Sequence, residues 1–134
     1  MKIELSSKQF RRLLDMVYIG NWVLNSARGD DRIPDFDKVE SYLFSQCPKY
    51  DMGSLCETVD NQTLPSQAFS EGGIHEAIMD YEDAVFFEIL AEELAHRDMT
   101  AEELSPEELA SRREAYLREF ESNGITNVSV DAVL

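Results

Sequence analysis

Residues 7–27 read SKQFRRLLDMVYIGNWVLNSA, and their reading decides the fold class. Phe10, Leu13, Leu14, Val17 and Leu24 recur at helical spacing, with Ser6 or Ser7 as N-cap ahead of them. Met16, Tyr18, Ile19, Trp22 and Val23 fill most of the remaining circumference. A helix that is apolar nearly all round is buried from more than one side. In a chain of 134 residues it is then either the central helix or part of an oligomer interface. Gly29 marks its end.

On the N-terminal side, Ile3 and Leu5 alternate with Lys2 and Glu4 as in a short strand. On the other side, a polar loop leads to Pro34 and Asp35, which open a second helix. Its apolar face is Phe36, Val39, Tyr42 and Leu43, and Pro48 ends it. Ser54 to Glu57 resembles a capping box starting a single turn, and residues 61–73, with Pro65 and the Gly72-Gly73 pair, read as a surface loop. Residues 74–97 form a second long helix with Ile78, Val85, Phe86, Ile89, Leu90 and Leu94 as its stripe. Thr100 to Glu103 and Ser105 to Glu108 are successive capping boxes, the second with Pro106 at the first helical position. A last helix over 106–122 uses Leu109, Tyr116, Leu117 and Phe120, and Asn123-Gly124 terminates it. Residues 125–130 alternate apolar and polar and would pair with residues 2–5. The expected fold is mostly α, a single acidic helical domain over 1–134. It has about four helices in a bundle-like arrangement and a short two-stranded ribbon made from the N- and C-terminal segments. Val17, Trp22, Val85, Phe86 and Ile89 are the expected core.

Charge narrows the partners. Residues 71–122 hold sixteen Asp and Glu against four Arg and no Lys, which is −12 of a formal −15. Such a surface repels nucleic-acid phosphate and anionic lipid, so neither nucleic acid nor membrane is an expected partner. The apolar run Met16 to Leu24 falls well short of the roughly 20 residues that cross a bilayer. Residues 1–8 lack the apolar region of a signal peptide, so a cytoplasmic location is expected. There Cys47 and Cys56, nine positions apart and in no redox or zinc pattern, are expected as free thiols.

Few constellations carry chemistry. Glu93-Leu-Ala-His96 has the ExxH spacing by which carboxylate-bridged bundles present ligands from one helical turn. Glu82 shares that arc, so Glu82, Glu93 and His96 are the candidate metal ligands. A di-metal bundle needs a second ExxH, and His75 is not in one; near a helix end Glu93 and His96 can equally reach water. Asn21 and Asn25, one turn apart on the most apolar helix, fit a structural role better than a ligand-orienting one. No catalytic residue, phosphate loop or cofactor is implied.

The segments Leu14-Asp-Met-Val-Tyr-Ile-Gly-Asn-Trp22 and Val85-Phe-Phe-Glu-Ile-Leu-Ala-Glu-Glu-Leu-Ala-His-Arg-Asp98 resemble two signatures of a group of small bacterial proteins. In that group a VYxGNW helix is followed by an acidic helix ending in LAxRD. The resemblance covers about a third of the chain and implies a bacterial, cytoplasmic, mostly helical protein. It carries over no functional residue.

Three functions compete. The first is a non-enzymatic protein–protein interaction module in which Met16, Tyr18, Ile19, Trp22 and Val23 of the first helix form the interface, a homodimer being the expected use. The second is an acidic DNA mimic or decoy, with helices 74–97 and 106–122 presented to a basic partner. The third is a metal-binding helical bundle using Glu82, Glu93 and His96. Solvated helix faces that provide only solubility are the competing reading of the acidic helices. A monomer would result if the irregular segment 49–73 folded back over the first helix.

Overall fold

A computed structural model describes residues 1–100, 102 and 105–132. It is mostly α, with four helices longer than one turn and a two-stranded antiparallel ribbon. In order these are α1 (Ser7–Asn25), α2 (Pro34–Phe44), β1 (Cys56–Val59), β2 (Gln62–Pro65), the single turn α3 (Gln67–Phe69), α4 (His75–Asp98) and α5 (Pro106–Asn123). The chain divides into two compact units, Met1–Ile78 and Met79–Leu134. The division falls inside α4.

Local chemistry starts the helices where the sequence indicated and ends α5 there, while α1 stops at Asn25, ahead of Gly29, and α2 at Phe44, ahead of Pro48. Ser6 caps α1 reciprocally: its hydroxyl accepts from the Gln9 amide at 3.1 Å, and the Gln9 side chain accepts from the Ser6 amide at 2.9 Å. Pro34 and Pro106 open α2 and α5. The Ser105 hydroxyl accepts from the Glu108 amide at 3.2 Å. Gly124 closes α5 at a φ of 57°. Gly73, at a φ of 106°, turns the chain between α3 and α4, a conformation that favours glycine. The Thr100–Glu103 capping box includes residues outside those described.

The core of the first unit joins Phe10 and Leu14 of α1, Phe44 of α2, Cys47, Phe69, Ile74 and Ile78. Tyr50 stacks on Phe10 with ring centroids 4.0 Å apart, and Phe69 meets Tyr18 and Phe44 edge-on at 5.2 and 4.9 Å. Tyr50 and Phe69 therefore cover the Phe10–Tyr18 side of α1 while Met16 and Val23 stay exposed, and within the expected surface loop 61–73 Ser66 and Phe69 are buried.

Three expectations are corrected. The terminal ribbon does not form: residues 2–5 and 125–130 are not strands, and the ribbon joins Cys56–Val59 to Gln62–Pro65. Closing a hairpin through two residues costs far less chain entropy than joining segments at opposite ends of the chain. Asp60 and Asn61 both take positive φ, 51° and 64°, which is the type I′ turn that suits strand twist.

The second correction concerns α2. Most of its apolar stripe faces outward, with Phe36, Val39 and Tyr42 exposed and Leu43 alone packed on the core, while Asp37, Glu40 and the fully buried Phe44 face inward. The third concerns the expected core. Trp22 packs against the core of the first unit, Val17 and Val85 are only half-buried, and on α4 Phe86 and Ile89 are exposed by 50% and 59%. The buried seam of α4 in the second unit runs instead through Ala91 and Ala95, continued by Met99. Phe87 on that side meets the buried Phe120 of α5 at 5.4 Å, and the Tyr116 hydroxyl donates to Asp98. One covering helix buries one face of α4, and the opposite face stays in water.

Leu14→Ala should destabilise the protein by about 3 kcal/mol, because Leu14 is fully buried. Phe86→Ala and Ile89→Ala should each change stability by less than about 1 kcal/mol. Gly20→Ala should add about 1 kcal/mol, since a methyl at mid-helix Gly20 meets nothing within 4 Å. Urea unfolding curves check all four; a large loss at Ile89 would restore it to the core.

Candidate functional site

α1 carries two sites in the first unit, one polar and one apolar. The polar one begins with Asn25, which is fully buried one turn beyond Asn21. Its amide nitrogen donates to the Asn21 side-chain oxygen at 2.8 Å and to the Ile33 carbonyl at 3.0 Å. Its oxygen accepts from the Ile33 amide at 2.8 Å. Asn25 thus satisfies both backbone groups of the residue that starts α2. Asn21 in turn donates to Asp37 at 3.0 Å, and Arg32 grips the same carboxylate through two bonds of 2.7 and 2.8 Å. Both asparagines therefore hold structure, as their sequence context suggested.

Around this clamp lies a cavity of about 350 Å³ lined by Tyr18, Asn21, Trp22, Ser26, Arg32 and Glu40. The Arg32 guanidinium holds Asp37 below the usual carboxylate range. Burial pushes Glu40 up, against a hydrogen bond from Asn21. Burial, and then Glu40, raise the Tyr18 hydroxyl. Tyr18 shares a 2.6 Å hydrogen bond with His75 Nε2, and Trp22 meets the same imidazole edge-on at 4.8 Å. These contacts anchor the first turn of α4 to α1.

The apolar site is a cleft of about 690 Å³. Phe10, Leu13 and Met16 of α1 line it together with Leu43, Tyr50, Ile3 and Leu5. Lys8, Arg12 and Lys49 rim it, and no carboxylate is among its described lining residues. Three of the chain's twelve Lys and Arg thus meet at one opening. Arg12 pairs with Asp15 at 3.0 Å and Lys49 donates to Gln46 at 2.8 Å, while Lys8 has no ion-pair partner among the described residues. Sequence reasoning missed this site, although Lys8 and Arg12 are spaced one helical turn apart beside Phe10 and Leu13.

The expected interface residues separate. Met16 and Val23 are exposed by 70% and 67%. Tyr18, Ile19 and Trp22 pack against the core. The metal candidates do not come together. Glu82 and Glu93 are eleven residues apart on one helix, a rise of about 16 Å, too far to share an ion. His96 bonds Glu92 at 3.2 Å instead, and Glu92 also pairs with Arg113. Among the described residues no three His, Cys, Asp or Glu side chains are grouped to hold a metal ion. Both cysteines are free, and burial pushes the Cys47 thiol up to about 11, with Cys56 beside it adding to the shift. No helix among the described residues is long and apolar enough to cross a membrane. No family model, curated protein or solved structure matches this chain.

The two carboxylates of the clamp act on stability with opposite sign. Asp37 has a depressed folded pKa, so its contribution is present above the unfolded carboxylate range and is lost as acid protonates it. Glu40 has a raised one, so its contribution is present at low pH and is lost as pH rises through the folded value. Asp37→Asn should therefore lower the melting temperature at neutral pH, and Glu40→Gln should raise it. Thermal melts across the acid range check both signs.

Proposed function

We propose that this protein is a non-enzymatic interaction module whose first unit receives an apolar protein segment carrying carboxylates. The cation-rimmed apolar cleft on α1 supports this reading, because its local charge is the reverse of a chain with net charge −15. Long-range repulsion from the rest of the chain then disfavours indiscriminate acidic partners, and apolar contact selects the one that fits. A helix laying an apolar stripe into a groove is a recurrent mode of such recognition. The Cys47 thiol is buried and pushed up, and Tyr18 and His75 bond each other, so none of these three groups is presented as a nucleophile. Two free thiols suit a reducing compartment such as the cytoplasm.

A synthetic helical peptide with Leu at i, i+3 and i+7 and Glu between them tests the reading. Added to isotope-labelled protein, it should shift the amide resonances of residues 3–16 and 43–50. Met16→Glu places a carboxylate in the cleft and should weaken binding about tenfold or more. Resonance shifts confined to other surfaces, or equal affinity for the Met16→Glu protein, would count against it.

A further inference from the structure

α4 carries an unpartnered face of the kind this cleft would take. Met79, Glu82, Phe86, Ile89 and Glu93 follow at intervals of three and four, which places them within an arc of about 80° on a helix of 3.6 residues per turn. Met79, Phe86 and Ile89 are exposed by 54%, 50% and 59%, and Glu82 and Glu93 are exposed with no ion pair among the described residues. The stripe is therefore apolar, with two free carboxylates set three turns apart. Facing cations are what it lacks, and Lys8, Arg12 and Lys49 at the apolar cleft supply them.

We infer that the occupant of the cleft is a second copy of this chain, docked through the α4 stripe. The inference rests on the interaction-module reading and names its partner. Each chain has one cleft and one stripe, so every copy can both receive and donate the contact. Phe86 and Ile89 would pack on the apolar lining that includes Leu13 and Met16, and Glu82 and Glu93 would meet the rim cations. The pairing also accounts for features that folding alone leaves without purpose: two large apolar side chains kept in water on α4, and a lysine held unpaired at the lip of a hydrophobic cleft.

Charge reversal in the full-length chain separates this from any other association. The cleft variant is Lys8→Glu with Lys49→Glu; the stripe variant is Glu82→Lys with Glu93→Lys. All four sites are exposed, and circular dichroism confirms that each variant folds. In sedimentation equilibrium the wild-type chain should self-associate at micromolar concentration. Each variant alone should be monomeric, its Kd raised about a hundredfold by contacts turned repulsive. Mixing the two variants should restore association, because the reversed cleft then meets the reversed stripe and the native cleft meets the native stripe. A wild-type chain still monomeric at about 100 μM overturns the inference, as does association that survives either reversal or is not restored by mixing. If the wild-type chain is monomeric yet the Leu/Glu peptide still binds residues 3–16 and 43–50, self-docking fails while the interaction-module reading stands.

Discussion

Asn25 ties the end of α1 to the beginning of α2 by bonding both backbone groups of Ile33, and most of the first unit depends on that constraint. With the start of α2 fixed, the face one helical turn on from Ile33 must point at α1. That face holds Asp37, Glu40 and Phe44. Asn21 and Arg32 satisfy Asp37, so a helix contact made largely of polar groups leaves no buried side-chain polar atom without a partner among the described residues. Phe44 then enters the core, and Cys47 follows it one turn later. Together they make the seat in which Phe69 is buried edge-on to Phe44 and Tyr18. From Phe69 the chain reaches α4 through the bend at Gly73.

The same constraint explains an unusual distribution of apolar surface. A polar inner face on α2 sends Phe36, Val39 and Tyr42 outward. In the second unit α5 covers a single face of α4, and the seam that it covers is the one with Ala91 and Ala95. The larger side chains Phe86 and Ile89 are left in water beside carboxylates. Burial of such groups is worth roughly 25 cal/mol per Å², so their exposure forgoes several kcal/mol that a partner surface could recover.

Charge is distributed as unevenly as apolar surface. Most of the net −15 lies on α4, α5 and the residues joining them, while the cleft opens among Lys8, Arg12 and Lys49. Repulsion between acidic helices acts over a Debye length, whereas an ion pair at a desolvated rim is screened much less. A chain of this charge can therefore stay dispersed and still hold one complementary contact.

The sequence by itself determined where the helices begin and where α5 ends. Ser6, Pro34, Ser105-Pro106 and Gly124 act on backbone groups within four residues of themselves, so their effect does not wait for tertiary structure. It also determined the acidity of α4 and α5 and the mostly α class. Only the tertiary structure decided which face of each helix is buried. Periodicity identifies an apolar stripe but not what will cover it, and on α2 and α4 a polar clamp and a two-alanine seam took the inner positions. The ribbon went to residues 56–65 because a two-residue turn closes it locally, an advantage that alternation at the termini could not match. The cleft was the least legible feature. Its walls come from residues 3–16 and 43–50, and only folding brings Lys49 to the same opening as Lys8 and Arg12.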